Sequence, residues 1–264
     1  MTEQWIVDAF TQVPFKGNSA AVIVVDDYQN ETWMQNVAIE NNLSETAFLK
    51  HLGTNHYFIR WFSPMMEIDF CGHATLASAY VLFEQFKLTG KITFSTEKVG
   101  DLVVSKGEQG KIEMTFPNYA PYPVAEIPTP LLDGLSIKPK HILRSEQAYF
   151  AVYDQASDLL DLETDNEQLK RLAPFDVVAT ALSDDDHYDF VSRYFWPANG
   201  GDEDPVTGSI HAGLMPYWGE RLNKTSLTAL QASARTGVLY GLLKHDKVLI
   251  SGDAVLFAKS QLFV

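Results

Sequence analysis

The chain alternates between short apolar runs and segments of helical period. Ile6-Val7-Asp8-Ala9-Phe10 reads as a strand, and Asn18 to Val25 (NSAAVIVV) as a second, buried one. Pro14-Phe15-Lys16-Gly17-Asn18 is a turn signal between them. The period then changes. Trp33 with Val37, and Met34 with Ala38, are pairs four apart, which predicts a helix with Thr32 as its N-cap. Ile39 falls off that stripe, so burial on more than one side is expected. Thr46–Leu49 and Tyr57–Phe62 read as strands, and a second helix covers about His73 to Glu84. Three further strands are expected near Lys91–Thr96, Gly100–Ser105 and Lys111–Phe116. Pro117, Pro121, Pro123, Pro128 and Pro130 follow, too dense for a helix or a central strand. This linker predicts two lobes, 1–117 and 118–264, with the last strand free to cross back to the first lobe.

The second half repeats features of the first. Tyr57-Phe58-Ile59-Arg60-Trp61-Phe62-Ser63-Pro64 is similar to Phe190-Val191-Ser192-Arg193-Tyr194-Phe195-Trp196-Pro197. In both, an arginine stands four residues before a proline inside an aromatic strand. A glycine turn into an apolar helix follows each: Cys71-Gly72-His73-Ala74-Thr75 and Thr207-Gly208-Ser209-Ile210-His211. Aligning the glycines needs a three-residue insertion in the second copy. Two such units would present two helix N-termini, with free N–H groups and positive dipole ends. If both faced one cleft, it would suit a carboxylate-bearing ligand.

Charge narrows the partners. The 264 residues carry 20 Lys and Arg against 34 Asp and Glu, a formal net charge of −14. No basic run exists to displace counterions from nucleic acid or to meet an anionic membrane, so neither partner is expected. Eleven acids fall within residues 154–189 against Lys170 and Arg171; they read as a solvated face. Asp184-Asp185-Asp186 lacks the ligand spacing of a calcium loop. No signal peptide and no apolar span of membrane length is read, so a reduced, cytoplasmic protein is expected. The one cysteine, Cys71, excludes an internal disulfide, a Cys-rich metal cluster, and any mechanism needing two thiols from one chain.

Three side chains stand out as chemistry. Glu45 enters an apolar strand, where partial desolvation suits a carboxylate to accept and return a proton near neutrality. His73 starts a helix, whose positive end favours the neutral imidazole. Asp204 follows Asp202-Glu203 and precedes Pro205 and the Gly208 turn; it could hold a protonated amine or orient a histidine. Templates for other chemistry are missing. There is no Walker A motif, no GxGxxG after a strand, no HExxH and no GxSxG elbow, so neither nucleotide cofactor nor metal is expected.

Four blocks together resemble the phenazine biosynthesis PhzF-like family. They are Asp8-Ala9-Phe10-Thr11 with Pro14-Phe15-Lys16-Gly17-Asn18-Ser19-Ala20-Ala21-Val22, Leu43-Ser44-Glu45-Thr46-Ala47-Phe48, Cys71-Gly72-His73-Ala74-Thr75, and Asp204-Pro205-Val206-Thr207-Gly208-Ser209. The resemblance implies an α+β architecture of the diaminopimelate epimerase type: two pseudo-symmetric lobes, each a curved, mostly antiparallel sheet around a central helix, with the active site between them. It implies a cofactor-independent isomerase that moves a hydrogen by acid–base chemistry on a small carboxylate, and a homodimer. Carried over, Glu45 is the proton carrier. His73 and Asp204 position the substrate, while Gly72, Gly208 and Ser209 meet its carboxylate at the helix ends. Two other readings stay open: an amino- or imino-acid racemase or epimerase of the same fold, and a non-catalytic small-molecule binding or interaction protein.

Overall fold

The computed structural model describes residues 2–264. The elements run β1 (Thr2–Ala9), β2 (Asn18–Val25), α1 (Glu31–Asn41), β3 (Glu45–Gly53), β4 (His56–Phe62), β5 (Glu67–Ile68), α2 (Gly72–Glu84), β6 (Ile92–Ser95), β7 (Asp101–Lys106) and β8 (Ile112–Pro117). They continue with β9 (Tyr122–Pro123), α3 (Thr129–Asp133), β10 (His141–Arg144), β11 (Ala148–Val152), α4 (Ala156–Leu160), α5 (Asn166–Leu169), β12 (Asp176–Leu182), β13 (Phe190–Phe195) and β14 (Glu203–Asp204). The chain closes with α6 (Gly208–Leu222), β15 (Ser226–Gln231), β16 (Gly237–Lys244), β17 (Lys247–Gly252) and β18 (Ala254–Leu262). Two compact units result, Met1–Thr115 with Ser251–Val264, and Phe116–Ile250. No described helix is long and apolar enough to cross a membrane.

In the first unit β1 lies antiparallel between β18 and β2. β2 runs parallel to β3, β3 antiparallel to β4, and β4 parallel to β6, which leads through the β7 hairpin to β8. Helix α2 packs on β1, β2 and β3 and buries eleven of its thirteen residues, the mark of a central rather than a surface helix. Helix α1 packs on β3 and β4, with Met34, Val37 and Ala38 against Phe48 and Phe62. Its details differ from the sequence reading. Asn30, not Thr32, caps it, because the Asn30 carboxamide reaches the Trp33 N–H at 2.8 Å. Ile39 is 49% exposed, so α1 is buried along one face only.

The second unit repeats this wiring. β10 and β11 are antiparallel, β11 and β12 parallel, β12 and β13 antiparallel, and β13 and β15 parallel, with β16 completing a hairpin. Even the short strands correspond: β5 pairs with the end of β4, and β14 with the end of β13. Here lies the reason for the repeated arginines. Arg60 makes a two-pronged pair with Glu67 of β5 (2.6 and 2.6 Å), and Arg193 makes the same pair with Glu203 of β14 (2.8 and 2.9 Å). Each pair fastens the short strand from which the chain turns into the central helix, five residues later. The three-residue insertion falls before Glu203, around the turn Pro197–Asn199. The proline-rich stretch is not structureless: Tyr122–Pro123 pairs at a sheet edge with β10, and Pro130 sits in the first turn of α3, both places where a missing N–H is tolerated.

Candidate active site

The first unit brings Glu45, Gly72 and His73 together. Glu45 is the first residue of β3, opposite Ala20 in the parallel β2–β3 register. Gly72 opens α2 and His73 is its second residue. Although the two side chains are 28 positions apart, His73 Nε2 lies 2.9 Å from Glu45 Oε2. Both are buried, at 5% and 6% exposure. The other ring nitrogen, Nδ1, faces the carboxamide of fully buried Asn18 at 3.1 Å and the Cys71 sulfur at 3.4 Å. Asn18 starts β2 as Glu45 starts β3, so two strand ends and one helix end converge on a single imidazole.

This arrangement reverses one expectation. Burial works against charge on His73, but the Glu45 carboxylate and the ring's contact with the Cys71 sulfur outweigh it and hold the imidazole above the ordinary histidine range. Cys71 itself is pushed up to about 11, by burial first and by Glu45 second, and is therefore a thiol at neutral pH. Glu45 Oε2 is close to His73 yet accepts no aligned hydrogen bond, so the contact is one of charge. Helix α2 has no side-chain cap, which leaves its first-turn N–H groups without that acceptor. The Glu45, Cys71 and His73 ligand atoms lie within 4.8 Å of one another, a spacing that could also hold a metal ion.

The second unit brings Asp204, Gly208 and Ser209 together. Thr207 precedes α6 and its hydroxyl donates to Asp204 Oδ2 at 2.5 Å. Buried Gln231 staples the turn, accepting from the Thr207 N–H and donating to the Asp204 carbonyl, both at 2.8 Å. Like α2, α6 has no side-chain cap. The repeat sets Gly208 in the place of Gly72 and Ser209 in the place of His73. It sets Asp176, the first residue of β12 and opposite Ala148 of β11, in the place of Glu45. Asp176 is 8% exposed and its carboxyl is raised by burial, against hydrogen bonds from Tyr194 and Asn199. The sequence reading counted Asp176 among solvated acids; its position at the head of an apolar strand, like Glu45, was the available signal. Asn18, Gln147 and Tyr194 were also missed. They act across 55, 62 and 18 positions of sequence, to His73, Ser209 and Asp176 respectively.

An α+β fold with repeated strand–turn–helix units recurs in a probable proline racemase from Agrobacterium radiobacter, at a TM-score of 0.64, 11% identity, and 99% and 93% coverage of the two chains. That likeness is one of fold alone, an α+β architecture shared over nearly the whole of both chains. The family is narrower: the model described as phenazine biosynthesis-like protein matches residues 7–260, and the chain belongs to that family. It is 44% identical to an uncharacterized isomerase of Halalkalibacterium halodurans, over all of this chain and 99% of that one. A PhzF-family phenazine biosynthesis protein of Enterococcus faecalis has a crystal structure that superposes with a TM-score of 0.93, at 42% identity, covering 100% of this chain and 99% of the other. An isomerase-type function is what these relatives support.

Proposed function

We propose that this protein is a cofactor-independent isomerase that moves a proton within a small carboxylate substrate. The observation that carries the reading is the buried Glu45 carboxylate, 2.9 Å from His73 at the uncapped start of α2. Glu45 removes an activated C–H proton; the electron pair is delocalised toward the substrate carboxylate, and the carboxylic acid returns the proton at another carbon on the same face. A raised His73 supplies positive charge beside Glu45 and holds its orientation. The Gly72 end of α2 offers N–H groups to developing negative charge. Asp204, Gly208 and Ser209 are proposed as the second unit's contribution, with Asp204 for an amine and the α6 end for a carboxylate. That assignment rests on the repeat and on the family's sequence blocks.

The test uses a dihydro-hydroxyanthranilate and a panel of small β,γ-unsaturated carboxylates. Each is incubated in heavy water with wild type or Glu45→Gln, and conversion and deuterium content are read by mass spectrometry. Loss of a positioned general base is expected to lower conversion by about 10²–10⁴-fold. Equal conversion and equal deuterium content with both proteins would remove Glu45 from the reaction.

A further inference from the structure

Beyond the residues of the family's blocks, a chain of hydrogen bonds, buried at Tyr194 and Asp176 and partly buried beyond them, runs through the second unit to the start of α6. Tyr194, 3% exposed, donates its hydroxyl hydrogen to Asp176 Oδ2 at 2.6 Å. Burial and the Asp176 charge hold that phenol far above its usual range, so it stays a donor. Asn199 donates to the other Asp176 oxygen at 2.8 Å. Having spent its only hydrogen, Tyr194 can only accept from Gln147, whose Nε2 is 2.9 Å away. This fixes which way the Gln147 carboxamide faces. Its second N–H then points to Ser209 Oγ at 3.0 Å. Every hydrogen in the chain has one direction, and Ser209 enters it as an acceptor. The serine's own hydrogen is left over, beside the uncapped first turn of α6.

We propose that Gln147 is a positioning residue that occupies one lone pair of Ser209 Oγ and turns its hydrogen toward the start of α6, so that this helix end favours an ionised carboxylate over its neutral amide. Asp176 and Tyr194 act through Gln147: the carboxylate orients the phenol, and the phenol orients the carboxamide. A free serine hydroxyl could turn to accept from an amide N–H as readily as it donates to a carboxylate. Held by Gln147, it has one of its two lone pairs filled and its hydrogen turned outward beside the backbone N–H groups, so the donors at that helix end match an acceptor-only ligand better than an amide. The inference deepens the proposed function and rests on its carboxylate substrate.

The experiment compares benzoate with benzamide, a charged and a neutral ligand of one shape, by calorimetry on wild type, Gln147→Met, Gln147→Glu and Tyr194→Phe. Wild type is expected to prefer benzoate by at least about tenfold. Gln147→Met is expected to lower that preference at least about fivefold while benzamide binding stays within about twofold, which a general loss of structure would not do. Gln147→Glu, which turns the donor into an acceptor, lowers it further, and Tyr194→Phe lowers it less. A Gln147→Met protein that keeps the wild-type preference overturns the proposal, as does equal loss of both ligands. A wild type that binds neither compound overturns the carboxylate reading beneath it. A crystal structure of Gln147→Met separates the two failures: Ser209 in its wild-type rotamer overturns the positioning role whatever the ligands do.

Discussion

His211 makes a quantitative test of how the second unit is built. It lies on α6 at 0% exposure, with Nδ1 2.8 Å from the Thr207 carbonyl and Nε2 3.4 Å from the Ser192 hydroxyl. The Phe190 ring stacks beside it, centroids 6.0 Å apart. Nδ1–H donates to the carbonyl, so the neutral ring is satisfied, and a second proton would enter an apolar, anion-free site. Burial accordingly pushes its pKa down to about 4, against the Thr207 bond, which favours the proton. In the unfolded chain the value is about 6.5. The folded value is the lower one, so neutral His211 contributes stability that is fully present above pH 6.5. That contribution is lost as the pH falls toward 4, where the unfolded chain binds a proton the folded chain refuses. A gap of about 2.5 units at 1.36 kcal/mol each amounts to about 3 kcal/mol. The assay is thermal and urea unfolding of wild type and His211→Gln across pH 4–8. Carboxylate titrations common to both proteins cancel in the difference. His73, whose value is raised, contributes stability that is complete below pH 6.5 and does not bend the curve there. The variant is expected to be less stable at pH 7.5 but to lose about 3 kcal/mol less between pH 6.5 and 4. Parallel curves for the two proteins would refute the reading of His211 as a buried neutral histidine.

Two further substitutions test the repeat and the Asn18 turn. Arg193→Met strands the Glu203 carboxylate and the Leu159 and Leu162 carbonyls, which Arg193 meets at 3.0 and 2.8 Å, and is expected to cost about 3 kcal/mol. Arg60→Met leaves its pair with Glu67 broken but strands no such carbonyls, so about 1–2 kcal/mol is expected; denaturant melts showing the reverse order would break the argument. Gly17→Ala meets a φ of +67° and places a Cβ 2.1 Å from the Ala9 carbonyl oxygen. A loss of at least about 2 kcal/mol is expected, with Asn18 drawn off His73; an unchanged melting temperature would show that the turn relaxes freely.

The elements most legible in the sequence were those whose cause is local. Asn18–Val25 was read to the residue because an unbroken apolar run between turn signals leaves one choice. The glycine before each central helix was visible because the turn recurs. The arginine before each proline was visible as a pattern without a cause, since its partner glutamate stands at different spacings in the two copies, seven residues on in one and ten in the other. Glu45 and His73 were each legible as types of residue in the right local setting, but their contact depends on the parallel β2–β3 register and on how α2 lies across it. Asn18 and Gln147 carried no local signal at all. Both are polar residues near strand starts, and only the tertiary fold gives each its partner. The state of His73 was misjudged for the same reason: a helix end can be read from sequence, whereas a carboxylate arriving from another strand cannot.

Cys71 decides between carboxyl and thiol chemistry. A mechanism that takes two thiols from one chain needs a second cysteine, and the sequence has one. Here Cys71 is the residue before α2, and the matching residue before α6 is Thr207, whose hydroxyl is engaged with Asp204. A thiol held at about 11 is ionised in roughly one molecule in three thousand at pH 7.5, as follows from one power of ten per pH unit. It cannot be a steady general base at that pH. Cys71 also provides no side-chain cap to α2, so shortening it removes no capping bond. Cys71→Ala is therefore expected to keep proton transfer within about threefold of wild type on whichever substrate responds to Glu45, and iodoacetamide to alkylate the native thiol at least about a hundredfold more slowly than free cysteine. If Cys71→Ala lost as much activity as Glu45→Gln, or if rapid one-to-one alkylation abolished turnover, the thiol would be a participant and the assignment of the base to Glu45 alone would fail.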